Sequence, residues 1–180
     1  GFSKVMKWMI VDSITGKRRK TPKRAPVPRV EPDWAALQKP PGKGEGARLT
    51  WIGHATWLVQ LDGVSLLTDP VLEASIPGFI DRNVAPGVPL ERLPRIDASL
   101  VSHSHYDHMD LPSLKKVKAR VITGLGLGKA MEAEQLPATE LGWWQSVQGG
   151  EVKITFVPAQ HWSRRSLFDT NDFFAVFDII

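Results

Sequence analysis

The chain has 180 residues, 42% of them hydrophobic, which is enough for one domain with a buried core. It has no cysteine, which excludes a disulfide framework and thiolate metal ligation, and no apolar run approaches the roughly 20 residues of a membrane-spanning helix. The net charge of +4 is uneven: residues 1–48 hold 12 Lys and Arg against 4 Asp and Glu, whereas residues 49–180 hold 11 against 15, so the basic character belongs to the N-terminal part and no specific nucleic-acid partner is expected.

Residues 1–46 read as a basic, Pro- and Gly-rich extension, and residues 47–180 as the compact domain. Within the extension, Val5 to Val11 is a short amphipathic helix or a packed arm. Lys17 to Arg24 is a basic run, either a solvated segment or a peripheral contact with an anionic membrane. Asp33 to Leu37 fits a short helix. Ala47 to Ile52, Thr56 to Leu61 and Val64 to Thr68 read as three strands, the last two joined by an Asp62-Gly63 turn. His54, at the bend between the first two, either faces a site or hydrogen-bonds across the bend, and the structural role is favoured. Val71 to Arg95 lacks periodicity and reads as a long ordered loop beside a cleft. Ile96 to Val101 is a buried strand, Leu111 to Lys118 a helix capped by Asp110, and Val121 to Thr123 the next strand. Gly124-Leu125-Gly126-Leu127-Gly128 lacks the endings of a phosphate loop and the spacing of a dinucleotide fingerprint, so it is a strand-to-helix turn into a helix over Lys129 to Gln135. Thr139 to Leu141 is a short strand, Trp143-Trp144 reads as core, and Glu151 to Val157 alternates as a strand that delivers His161 to its end.

Three of the five histidines fall within Ser102-His103-Ser104-His105-Tyr106-Asp107-His108. His103 and His105 lie two apart on an extended segment, so their imidazoles can share a side. Asp107 and His108 project past them. Imidazole and carboxylate suit zinc and its neighbours, and two subsets of one loop can hold two metals side by side.

His103-Ser104-His105-Tyr106-Asp107-His108 resembles the signature of the metallo-β-lactamase superfamily of binuclear metallohydrolases. Leu49 to Val59, Leu67-Thr68-Asp69-Pro70, Leu141 to Trp144 and Pro158 to Arg165 are similar to one branch. That branch contains N-acyl-phosphatidylethanolamine-hydrolysing phospholipase D and, more distantly, L-ascorbate-6-phosphate lactonase. The resemblance runs from about Val27 to Asp172 and implies an α/β fold, an αββα sandwich. It implies metal ligation by His103, His105, Asp107, His108 and His161, with Asp107 and His108 in the catalytic centre and Asp69 bracing the ligands. It further implies one or two Zn2+, with Mn2+ or Fe2+ also fitting. The expected reaction is hydrolysis of a phosphodiester such as a phospholipid through a metal-bound hydroxide. A lactonase, or a non-catalytic metal-binding remnant, is the alternative. Trp162, Arg164 and Arg165 are candidate substrate contacts.

The superfamily's later bridging Asp and final His have no counterpart after His161, so the second half of the fold is expected to be largely missing. Three expectations follow. One metal binds tightly on His103, His105 and His161, and a second binds weakly or not at all on Asp107 and His108. One sheet face is left apolar and exposed, with self-association as a consequence. The location expected is cytoplasmic, with membrane association through the basic segment.

Overall fold

The computed structural model describes residues 7–17, 28–76, 80–161 and 175–180. A short helical segment, Lys7–Val11 continued by Asp12–Ile14, leaves Ile10, Val11 and Ile14 exposed. Helix α1 (Trp34–Gln38) starts at Asp33, whose carboxylate accepts from the Ala36 amide at 3.0 Å. It belongs to the folded core: Leu37 is 2% exposed, and its carbonyl accepts from the buried Gln60 side chain.

The strands follow as β1 (Ala47–Gly53), β2 (Thr56–Leu61) and β3 (Val64–Thr68), an antiparallel meander turned at Asp62-Gly63 as the sequence signals. The long loop after β3 contains a two-stranded ribbon, β4 (Ser75–Ile76) and β5 (Ile80–Asp81), too short to register as alternation in the sequence. Next come β6 (Ala98–Val101), helix α2 (Leu111–Val117), β7 (Arg120–Gly124), helix α3 (Gly128–Ala133) and β8 (Ala138–Leu141). The main sheet has the order β1-β2-β3-β6-β7-β8, with β3, β6, β7 and β8 parallel. The crossovers through α2 and α3 lay both helices on one face, where Val101, Met109, Leu114, Val121, Leu127 and Met131 form a buried cluster.

A second antiparallel sheet covers the opposite face: β9 (Ser146–Gly149), β10 (Val152–Pro158) and β11 (Ala175–Ile179), with β10 in the middle. Val152, Ile154 and Phe156 of β10 point into the main sheet and meet Val59, Leu66, Leu100 and Ile122. The layers are helices, sheet, sheet: an α/β fold of metallo-β-lactamase type. On the far side of the second sheet, Thr155 pairs with Ser146 and Asp178, and Lys153 with Gln148. Among the described residues that face is mainly polar, with Ile180 exposed at its edge. Apolar surface lies open instead on β1 and β2 of the main sheet, where Leu49, Trp51 and Trp57 are 62%, 53% and 40% exposed on the same face as Val59, as expected of a sheet face without its full cover. Trp143 and Trp144 depart from expectation: they are 43% and 69% exposed, because Trp144 sits in a turn at φ 67° whose amide donates to the Phe156 carbonyl. The glycine-rich turn is explained by Glu140, whose Oε1 accepts from the amides of Gly126 and Gly128 at 2.7 and 2.8 Å. Among the described residues no helix is long and apolar enough to cross a membrane.

Candidate metal centre

The topology puts one edge of the sandwich in charge of the chemistry. Parallel β3 and β6 end side by side there, the β1–β2 turn lies at the same end, and β10 runs out toward it. The carboxyl ends of parallel strands are where open α/β sheets present ligand sites. Asp69 follows β3, the His103 loop follows β6, His54 occupies the β1–β2 turn, and His161 follows β10. The loop is closed on its far side by α2, where Asp110 caps the helix by accepting from the Ser113 amide at 3.2 Å.

Asp69 organises the loop. It is 7% exposed, and three donors converge on it. The Ser102 amide donates to Oδ1 at 2.7 Å, the Ser102 hydroxyl to Oδ2 at 2.8 Å, and His108 Nδ1 to Oδ2 at 2.8 Å. This wiring sets tautomers. The Ser102 hydroxyl has one proton and gives it to Asp69, so His103 Nδ1, 2.8 Å from that oxygen, must be the donor in its pair. His103 Nε2 is then left with its lone pair. By the same logic His108 presents the lone pair of Nε2.

Two groups of three donors result, each with its ligand atoms within 4.8 Å of one another: His103, His105 and His161, and His54, Asp107 and His108. In the first, His103 Nε2 lies 2.9 Å from His105 Nδ1, and the His161 ring packs edge-on against both. In the second, His54 Nε2 lies 2.9 Å from Asp107 Oδ2, which is 3.9 Å from His108 Nε2. The His103 and His108 rings are 4.1 Å apart, so the groups adjoin.

Electrostatics keep His103 and Asp107 in the ligating form, whereas His108 holds a proton more tightly than an ordinary imidazole, so a cation there displaces that proton. Burial, reinforced by the neighbouring His108, His105 and His161, pushes His103 down to about 3, so it stays neutral at ordinary pH. Burial raises the Asp107 carboxyl, but His108, a backbone amide and His54 outweigh it and hold it below the usual carboxylate range. Burial lowers His108, yet the Asp69 hydrogen bond and the charges of Asp69 and Asp107 carry it above the usual imidazole value. The donor set of imidazoles and a carboxylate, with lone pairs fixed by their second hydrogen bonds, fits divalent cations of borderline hardness.

Residues 65–176 match the family model described as the β-lactamase superfamily domain. The chain belongs to the β-lactamase superfamily. Among curated superfamily relatives, N-acyl-phosphatidylethanolamine-hydrolyzing phospholipase D 1 of Caenorhabditis elegans is 39% identical over 145 residues, which covers 70% of this chain and 41% of the relative. The mitochondrial N-acyl-phosphatidylethanolamine-hydrolyzing phospholipase D of Saccharomyces cerevisiae is 34% identical over 137 residues, 68% of this chain and 29% of the relative. The chain thus spans less than half the length of either. Among solved structures, Igni18, a metallo hydrolase from Ignicoccus hospitalis, aligns with a TM-score of 0.59 at 18% identity, over 74% of this chain and 55% of that one, and speaks for the fold.

Against this superfamily frame, the structure brings together His103, His105, Asp107, His108 and His161, with Asp69 behind them. Trp162, Arg164 and Arg165 lie outside the described residues, as does the basic run after Lys17. One expectation is corrected. His54 does not merely bond across its bend, because its imidazole reaches Asp107. The Asp107–His108 pair accordingly has a third donor beside it. The signal in the sequence was positional: a histidine at a hairpin turn that antiparallel pairing places at the same sheet edge as Asp69.

Proposed function

We propose that this chain carries the ligand-bearing part of a metal-dependent hydrolase that acts on a phosphodiester, with an N-acyl-phosphatidylethanolamine-type phospholipid as the favoured substrate. The observation that carries the reading is the pair of adjoining three-donor groups braced on one buried carboxylate. The phospholipid class is supported by the similarity to the two phospholipases D. When bound, divalent cations at such a centre supply Lewis acidity and ease deprotonation of a water. Zinc, manganese and iron all accept this donor set.

The chain's own groups have separable tasks. His103 and His108 keep Nε2 lone pairs turned to the centre because Ser102 and Asp69 hold their other nitrogens. Asp107 stays ionised and accepts a hydrogen bond from the attacking water, aligning its oxygen on phosphorus. As that oxygen bonds to phosphorus, the bond from phosphorus to the leaving alcohol breaks, and the proton the water gives up passes to the leaving oxygen, so that water is added across the broken bond. The basic N-terminal part, with exposed Ile10, Val11 and Ile14, would bring the chain to an anionic lipid surface.

The test compares hydrolysis of N-acyl-phosphatidylethanolamine, a generic phosphodiester and a sugar lactone by the metal-loaded protein. Turnover of the phospholipid, abolished by His103→Gln, is expected. Turnover of the lactone alone would replace the phosphodiester reading with an acyl-hydrolase one, and no turnover of any substrate with metal bound would leave a non-catalytic remnant.

A further inference from the structure

We infer that His54 is a ligand of a second cation site, completed by Asp107 and His108, so that this chain supplies three donors to each of two adjoining divalent cations. The inference rests on the metallohydrolase reading above and adds a ligand that the His-x-His-x-Asp-His loop does not contain.

The local backbone is built to aim this imidazole. His54 sits at φ 53° in the left-handed region, which few residues other than glycine adopt, and Gly53 before it is at φ 145° within an irregularity of the β1–β2 register. The turn is pinned at two points. Trp51 Nε1 donates to the His54 carbonyl at 2.9 Å. A side chain at Gly53 would meet the Arg82 guanidinium at 2.5 Å, and Arg82 is itself anchored by donating to the Val71 carbonyl at 2.8 Å. A conformation this restricted is retained where the surroundings enforce it, and here its product is an imidazole directed at Asp107.

The donor spacing suits a cation. Metal–ligand bonds of roughly 2.0–2.1 Å in tetrahedral array separate ligand atoms by about 3.4 Å. His54 Nε2 to Asp107 Oδ2 is 2.9 Å, and Asp107 Oδ2 to His108 Nε2 is 3.9 Å, which bracket that value. His108 Nδ1 is committed to Asp69, so the nitrogen turned toward His54 and Asp107 is the one with the lone pair. The competing account, a plain His54–Asp107 ion pair, gives no reason for His108 Nε2 to converge on the same oxygen, and it requires metal content to be indifferent to His54.

The experiment is titration of the metal-stripped full chain with Zn2+, for the unsubstituted protein and for His54→Gln. The unsubstituted chain should bind two equivalents. His54→Gln should keep the first, on His103, His105 and His161, and bind the second at least tenfold more weakly. The retained first equivalent reports that the variant is folded. As a check that needs no substitution, two-bond 1H–15N imidazole spectra should move His54 Nε2 to a coordinated shift only as the second equivalent is added. Two undiminished equivalents in His54→Gln, or a His54 Nε2 that keeps its free-imidazole shift, overturn the inference and leave the metallohydrolase reading standing. A single equivalent in the unsubstituted chain also overturns it. No equivalent at all removes both.

Discussion

Replacing Asp69 by Asn should damage both histidine groups at once, although Asp69 belongs to neither. Three donors point at its carboxylate, one on Oδ1 and two on Oδ2, at 2.7–2.8 Å. An amide offers one acceptor oxygen. If that oxygen takes the place of Oδ2, the new NH2 faces the Ser102 amide. If it takes the place of Oδ1, both the Ser102 hydroxyl and His108 Nδ1 lose their acceptor. Either way at least one buried donor is stranded, which costs about 1–3 kcal/mol. The tautomers of His103 and His108 are no longer fixed, and loss of such an orienting partner weakens metal binding about 10–100-fold. Urea unfolding of the metal-free chain reads the first quantity, and competition with a chromophoric chelator reads the second. An Asp69→Asn protein that binds metal as tightly as the unsubstituted chain would refute the tautomer argument.

Phe156→Ala should lower stability by about 3–5 kcal/mol in urea unfolding, because this fully buried ring joins the two sheets and packs on Phe177 at 5.2 Å. Leu37→Ala should cost about 2–5 kcal/mol, since α1 fills the core over Ile52, Leu58 and Leu67; a loss below about 0.5 kcal/mol would show that α1 is only an arm on the surface. The metal-free chain should lose stability as pH falls from about 6.5 toward 3: folded His103 refuses the proton that the unfolded chain accepts, at up to about 1.4 kcal/mol per pH unit. His103→Gln should flatten that part of the urea-midpoint profile. His108 acts in the opposite sense. Its raised folded value contributes stability below the ordinary imidazole pKa, and that contribution is lost as pH rises through the raised value. His108→Gln should therefore remove a decline on the alkaline side.

Much of the frame was legible because single residues settle local geometry. Asp62-Gly63 marks the hairpin, Asp110 marks the start of α2, and the clean alternation of Glu151 to Val157 marks β10, whose inward face is Val152, Ile154 and Phe156. The spacing of His103, His105, Asp107 and His108 marks four candidate ligands on one loop, and their donor atoms do converge in the fold. What escaped depended on tertiary placement. His54 carries no spacing relation to the loop, and only the β1–β2 register brings it there. Trp143 and Trp144 are large enough to be taken for core, but the turn at φ 67° directs them outward. β9 (Ser146–Gly149) is polar on one side and short, so it depends on β10 for its existence. The polar far face of the second sheet follows from the same alternation in β10, once the partner registers are known.

Metal content of the chain purified without chelator, by elemental analysis, for the unsubstituted protein and for His161→Ala, asks whether the strand-end histidine joins the loop as a ligand. His161 lies far from the loop in sequence, and its ring packs on His103 at 4.7 Å. The unsubstituted chain should carry bound divalent metal, and His161→Ala should lose one equivalent while keeping its fold. Unchanged metal content in His161→Ala, or none in the unsubstituted chain, would contradict a metal centre built on these residues.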